Sequence, residues 1–441
     1  MYAAGRMNRS IGRIKDPSFA GHARMAPCNF TRRRKMPCED VAISVMCSKG
    51  RSLEIELRQW EKETGMKGIS APAYLKAREK FNPMALRYLL RCHEKDYYLE
   101  ENPKTYKGYL IGAIDGSRLN VPTTPLTLTY YGNASATGRP QAMVGLSCLY
   151  DVLNRRIIDL VCGRYNYSER SQASLLIKDA GEVLGKKPLI LVLDRAFCSL
   201  SFMTELIDDY GSSFVIRCRD TRFLDREFML AEEKGGDAII NIALSKKRLA
   251  YMKKKDPRAY EASKRRGALP LRLVLVDIEG KKMRIVTNLS HDLFSTDDIK
   301  ELYRLRWGIE TCFSFLKNKL QVENLSSTKP LLIEQDIFAT AYLLNIAFDF
   351  ANEADGESGD TCDMRYRHKM TVNRSFAIGV VKEELLSVIF APEEMRQEMM
   401  DGIIKELKEH LIPVRDGRSY PRSQIRAPRH HRYSNTHRRI F

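Results

Sequence analysis

Several common sequence features are missing, and each absence removes a class of protein. The ten cysteines are scattered, with no CxxC pair. Neither a zinc finger nor a disulfide framework is therefore expected, and the pattern suits reduced thiols in a cytosol. No apolar run of about 18 residues stands out, which argues against a membrane-spanning helix. The basic N-terminus lacks the apolar core of a secretion signal, and no internal repeat marks a solenoid. Acidic charge is in short supply: 55 Asp and Glu face 73 Lys and Arg, leaving a formal charge of +18. Fold gives no reason for that excess, but a polyanionic partner does, with nucleic acid first and an anionic membrane surface second.

What is present is ample apolar material. Hydrophobic residues make up 44% of the 441, enough to bury a real core and to exclude wholesale disorder. Residues 1–35 read as a basic extension without structure, ending in Arg32-Arg33-Arg34-Lys35. Residues 36–105 read as helical. A helix around Leu53 to Trp60 should stop near Gly65, and Ser70 can cap the next helix with Pro72 in its first turn. Lys76, Arg78 and Lys80 follow, so the pair fits a DNA-binding helix-turn-helix or an ordinary helical hairpin.

Strands begin at Tyr109. The run to Ile114 ends at Asp115-Gly116, and Ala142–Tyr150 and Arg156–Cys162 follow as strands. Next come a helix at 171–184, the apolar strand Pro188–Leu193 beside Asp194, a helix at 200–210 and a strand at 214–218. Residues 106–218 thus form the first part of an α/β core with a mixed sheet. Residues 219–289 read as a β-rich insertion holding two strands joined at Glu279-Gly280. Residues 290–352 complete the core, starting with a capping box at Ser295 and Asp298. A C-terminal helical region follows over 353–413, and 414–441 is an Arg-rich tail with stretches suited to DNA contact.

Asp115 and Asp194 stand at the ends of apolar strands, and as neighbours they would offer two carboxylates at one sheet edge. Hard divalent cations take such oxygen ligands. Each also has a plain reading, as a turn residue or a helix cap. On a helix over 301–321, Tyr303, Arg306, Glu310 and Lys317 share one narrow arc beside an apolar stripe of Leu302, Leu305, Ile309, Phe313, Leu316 and Leu320. An ordinary Arg306–Glu310 pair on a solvated face would not explain why Tyr303 and Lys317 share the arc. Phosphate handling does: Glu310 completes a metal site, while Arg306 and Lys317 grip phosphate oxygens and Tyr303 offers a hydroxyl or a ring face. Trp307 is a candidate for stacking a base, against the commoner role of helix packing.

The run Tyr303-x2-Arg306-x3-Glu310-x6-Lys317 resembles the Y-R-E-K signature of the IS4-type bacterial insertion-sequence transposases. Asp115-Gly116-Ser117 and Asp194-Arg195-Ala196-Phe197 are similar to that family's two aspartate motifs, with Ala196 where glycine is common. Ser168-Glu169-Arg170 and Thr287-Asn288-Leu289 also look like family features. The resemblance implies an RNase H-like core carrying a DDE triad of Asp115, Asp194 and Glu310, which would hold two Mg²⁺ ions, with Mn²⁺ as a substitute. It further implies a cytoplasmic enzyme that nicks element ends, passes through a DNA hairpin and joins target DNA. Its partners would be double-stranded terminal repeats and target DNA, gripped by a homodimer on paired ends. The alternative is a catalytically silent, repurposed DNA-binding descendant.

Overall fold

The computed structural model describes residues 2–32, 34–66, 68–135, 138–219, 223–255, 257–278, 280–358 and 368–414. The Arg-rich tail lies outside this set beyond residue 414. The chain opens with helices α1 (Tyr2–Lys15), α2 (Phe19–Ala23), α3 (Cys38–Met46), α4 (Leu53–Thr64), α5 (Ala71–Arg78) and α6 (Met84–Glu100). The expectation of an unstructured residue 1–35 extension is corrected by α1. Its Ala3, Ala4, Met7, Ile11 and Ile14 recur at helical spacing and are buried. The basic residues around them hide that stripe from a composition reading, because Arg6 itself is buried as an ion-pair partner. Ser70 caps α5 as expected, accepting from the Ala73 N–H at 3.4 Å. Arg78, however, is not available to DNA. It is 2% exposed and donates to Gln335, Ser326, Leu332 and Asp336.

The middle of the chain contains β1 (Leu110–Asn120), α7 (Pro125–Tyr131), β2 (Met143–Asp151), β3 (Arg156–Arg164), α8 (Glu169–Leu184), β4 (Leu189–Leu193), α9 (Leu200–Asp208) and β5 (Ser213–Arg217). It continues through α10 (Asp225–Glu233), β6 (Asp237–Ala243), α11 (Lys246–Lys255), α12 (Pro257–Arg266), β7 (Ala268–Ile278) and β8 (Lys281–Thr287). Among the described residues these strands form one eight-stranded sheet in the order β3-β2-β1-β4-β5-β8-β7-β6. β1, β2 and β3 are an antiparallel meander, while β4 and β5 run parallel to β1. Residues 219–289, read as a β-rich insertion, hold helices α10, α11 and α12 as well, and their strands continue the main sheet through β5–β8 pairing.

The sheet is covered on both faces, which is why its central strands read as unbroken apolar runs. In β1, Ile111 and Ala113 face one core while Leu110 and Ile114 face the other. α8, α9 and α10 cover the second face. The first is covered by α13 (Thr296–Leu305), α14 (Gly308–Ser314), a π-helical turn (Phe315–Lys319) and α15 (Pro330–Ser358). β9 (Met370–Val372), α16 (Arg374–Phe390), α17 (Glu393–Glu409) and β10 (Leu411–Pro413) complete the described chain, with β9 and β10 paired. Within α15, Pro330–Gly356 is long and apolar enough to cross a membrane, contrary to the reading of no such run. Its apolar window is 83% buried inside the protein, so it is the central core helix.

Polar residues buried around α15 are tied together. Asp349 accepts from Arg6 Nε at 2.8 Å, lies 2.8 Å from His93 Nε2 and pairs closely with Arg156. Arg156, fully buried, also meets both oxygens of Glu94 at 2.6 and 2.7 Å. Burial alone would raise the Asp349 pKa, but the charges of Arg156, Arg6 and His93 hold it well below the usual carboxylate range. Arg156→Ala would leave two buried carboxylates short of their cation and is expected to cost about 3–5 kcal/mol. Urea unfolding checks this; a loss below about 1 kcal/mol, the size of a surface pair, would mean the network is dispensable.

Candidate active site

The site begins with strand register. β1 and β4 pair in parallel from Leu110↔Leu189 to Ile114↔Leu193, so the next residue on each strand is Asp115 and Asp194. The two aspartates therefore leave the sheet side by side at the point where β1 and β4 part. β1 does not end at Asp115, as its sequence suggested. It runs on to Asn120 because β2 continues to pair with it. Asp115 accepts from its neighbour Gly116 N–H at 2.8 Å, and Asp194 accepts from the Ala196 N–H at 2.7 Å. Burial pushes the Asp115 carboxyl up to about 6; the charges of Asp194 and Glu169 push the same way, and Arg306 and the Gly116 N–H oppose them.

The third acid arrives on the helical layer. Ser295 and Asp298 form the expected capping box and start α13. The helix expected to run unbroken over 301–321 instead breaks at Arg306 and Trp307, resumes as α14, then passes into the π-helical turn. Gly308 lets α14 approach closely, since a Cβ there would lie 3.2 Å from Val152 Cβ. Arg306 stands at the junction with its guanidinium 3.4 Å from Asp115 Oδ2 and 2.7 Å from Glu310 Oε1. One cation thus touches two of the three acids. Its hydrogen bond to Glu310 and the charges of Tyr303, Glu310 and Asp115 outweigh its burial and raise its pKa.

The remaining sequence candidates are placed as follows. Tyr303 is 8% exposed beside Arg306, so its ring face is covered. Lys317 lies in the π-helical turn and donates to the Arg118 carbonyl at 2.7 Å, three residues beyond Asp115 on β1. Trp307 is 52% exposed, more open than a packing residue would be.

Sequence reading gave no role to two further residues. Glu169, at the start of α8, has its Oε1 3.2 Å from where a Gly116 Cβ would lie, and its charge acts on Asp115. Arg170 donates to the Ala196 carbonyl at 2.9 and 3.1 Å, tying α8 to the loop after Asp194. The Ser168-Glu169-Arg170 run at a capped helix start was the signal that pointed to them.

Carboxylate oxygens are the donors a hard divalent cation takes, and Asp115 has more anionic than cationic neighbours. The donor chemistry therefore fits. The side chains as they stand are not yet gathered as ligands: among the described residues no group of three or more His, Cys, Asp or Glu could hold a metal ion. Glu310 would have to exchange its Arg306 contact for the cation.

A second feature lies in the N-terminal helical region. A groove of about 740 Å³ is lined by Arg32, Arg34, Lys35, Lys76 and Lys80 over an apolar floor including Phe30, Met36 and Ile69. Among the described residues no acidic side chain lines it.

A mixed sheet that delivers acidic residues from adjacent parallel strands, faced by a helix carrying Arg and Glu, defines a class of phosphate-handling nucleic-acid proteins. Residues 106–346, more than half of the chain, match the Transposase DDE domain family, and the chain belongs to it. It is 26% identical over 166 residues to a probable transposase for insertion sequence element IS5377 from Geobacillus stearothermophilus. That match covers 37% of this chain and 40% of the relative, so it spans well under half of that protein's length. The structure is also similar, at a TM-score of 0.45 and 11% identity, to piggyBac transposase in a synaptic complex with hairpin DNA. That likeness covers 96% of this chain and 84% of the other.

Arg306→Ala would remove the cation that Asp115 and Glu310 share. It is expected to lower stability by roughly 1–3 kcal/mol at pH 8. The loss should shrink at pH 5, below the Asp115 value of about 6, because a protonated carboxyl no longer needs the cation. Thermal unfolding across that range checks it; a loss independent of pH would mean Arg306 acts through packing alone.

Proposed function

We propose that this chain is an IS4-type transposase that cuts the DNA ends of an insertion sequence and joins them to target DNA. The observation that carries the reading is the register of β1 and β4, which sets Asp115 beside Asp194, with Arg306 linking Asp115 to Glu310. The strand order β3-β2-β1-β4-β5, with β4 and β5 parallel to β1, supports an RNase H-like reading of the core. Asp115, Asp194 and Glu310 would be the oxygen donors for two Mg²⁺ ions, or Mn²⁺ in their place. Bound there, the metal would supply Lewis-acid stabilisation of the attacking and leaving oxygens in an in-line displacement at phosphorus.

The chain's own side chains do the positioning. Arg306, released from Glu310, presents a forked donor to a phosphate oxygen, and Lys317 adds a point charge near Arg118. Tyr303, buried and close enough to act on the Arg306 charge, would help to hold the guanidinium. Trp307 offers an exposed ring beside it for a base. The cationic groove over Lys76 and Lys80 would hold the duplex backbone of a terminal repeat. Pairing of two ends by a homodimer, in the bacterial cytoplasm, belongs to the same proposal.

The decisive experiment incubates full-length protein with supercoiled donor DNA bearing its own flanking sequence, in Mg²⁺ or EDTA. Cuts at the element ends are expected in Mg²⁺ alone, and Glu310→Gln should abolish them, a loss of at least about 100-fold since charge stabilisation is the main catalytic contribution. Binding without cutting by either protein would favour the silent DNA-binding descendant; equal cutting by both would remove Glu310 from the site. For the groove, Lys76→Glu with Lys80→Glu should weaken duplex binding. The slope of log affinity against log salt should flatten by roughly 0.9 per lost phosphate contact. An unchanged slope would place the duplex elsewhere.

A further inference from the structure

The end of β3 and its connection to α8, residues 164–168, are pressed onto glycine. A Cβ on Gly145 would come within 2.6 Å of the Arg164 carbonyl oxygen, and one on Gly163 within 2.7 Å of the Tyr167 ring. One on Gly132, itself at a φ of +92°, would come within 2.9 Å of the Tyr165 ring. Arg118, Gly145 and Gly163 are register partners across β1, β2 and β3, so they form one row. Two of the three side chains in that row are missing; the Tyr167 ring lies on Gly163, and the backbone of residues 164 and 165 lies on Gly145.

Such seating fixes the rings without covering them. Tyr167 is 55% exposed and Tyr130, close beside it, is 50% exposed. The Arg118 guanidinium stands 5.8 Å from the Tyr165 ring centroid, and Arg164 Nη1 reaches the Thr129 carbonyl at 3.3 Å. Both arginines are solvent-facing. Core packing gives no reason to hold an exposed tyrosine rigidly on glycine. Stacking does, because a π-face fixed in advance takes a nucleobase at little entropic cost. The loop connects to the site through the chain: Glu169, whose charge acts on Asp115, follows Tyr167 by two residues, and Arg118 follows Asp115 by three on β1.

We propose that Tyr167, seated on Gly163, is a stacking platform for unpaired bases at a DNA end, with Arg118 and Arg164 holding nearby phosphates. The proposal rests on the DNA-processing reading above and adds a preference that reading does not contain. A closed duplex keeps its bases stacked on one another, so the platform serves only frayed or single-stranded ends.

The test titrates full-length protein with two duplexes that differ only in a short single-stranded end containing 2-aminopurine. The overhang duplex is expected to bind more tightly than the blunt one by roughly 5- to 100-fold, with the probe's fluorescence quenched on binding. Tyr167→Ala should lose both the preference and the quenching while binding blunt duplex as the wild type does, and Tyr167→Phe should keep both. The proposal is overturned if the preference survives Tyr167→Ala, if Tyr167→Phe loses as much, or if Tyr167→Ala also loses blunt duplex, which would make the ring a loop anchor. Wild-type protein that binds and cuts DNA without distinguishing the overhang overturns the platform alone. Wild-type protein that binds neither duplex overturns the DNA-processing reading with it.

Discussion

Asp349 is the carboxylate from which both walls of the site hang. It sits within α15 and gathers Arg6 from α1, His93 from α6 and Arg156 from the start of β3. β3 pairs with β2 and β2 with β1, so that anchor reaches β1, the strand that carries Asp115 and pairs with β4, through two ladders. The neighbouring residue, Phe348, packs edge-on against Phe315 of the π-helical turn, with centroids 5.2 Å apart. One short piece of α15 therefore positions the strand that carries the first acid and the helical segment that follows the third. Interiors pack too densely for such an anchor to shift without its neighbours.

The same electrostatics is used with opposite balance at Asp349 and at Asp115. Around Asp349, cations outnumber the carboxylate, so its charge is secured and its pKa is pulled down despite complete burial. Around Asp115, burial and then the charges of Asp194 and Glu169 outweigh the Gly116 N–H and Arg306, and the carboxyl is pushed up to about 6. A buried charge without enough partners is costly, and it is relieved by a proton or by another cation. The first arrangement suits a permanent structural tie. The second is the kind of poised acid that clusters at functional sites.

Much of this was legible in the sequence, and what was not has physical causes. The strands around Asp115 and Asp194 were readable because burial on both faces makes them unbroken apolar runs. Ser70 and the Ser295–Asp298 box were readable because capping is a local rule. Arg78 misled because a buried arginine and a DNA-facing one look alike until its partners, 248 to 258 residues away, are in place. α1 was hidden for the same reason: Arg6 inflated an apparent surface charge that the fold neutralises with Asp349. β6 and the helices between it and β7 lie in the charged stretch after residue 219, where an alternating edge strand gives only a weak signal. Their attachment to β5 through β8 depends on pairing that no local pattern encodes.

The helical arc of Tyr303, Arg306, Glu310 and Lys317 shows how far a periodicity reading extends into a real site. An ideal helix places all four on one line, but the chain bends at Arg306 and Trp307 and then adopts a π-helical turn. The pair that spans the bend survives it, because Arg306 and Glu310 are only four residues apart and a long guanidinium absorbs the change. Residues in the π-helical turn do not keep the ideal phase, since the wider turn takes up an extra residue. Lys317 accordingly meets the Arg118 carbonyl on β1 instead of the carboxylates. The bend is also what Gly308 permits, by letting α14 approach Val152 at the β2–β3 turn. The break is thus part of the positioning: it carries Glu310 toward Asp115 on one side and sets a lysine along β1 on the other.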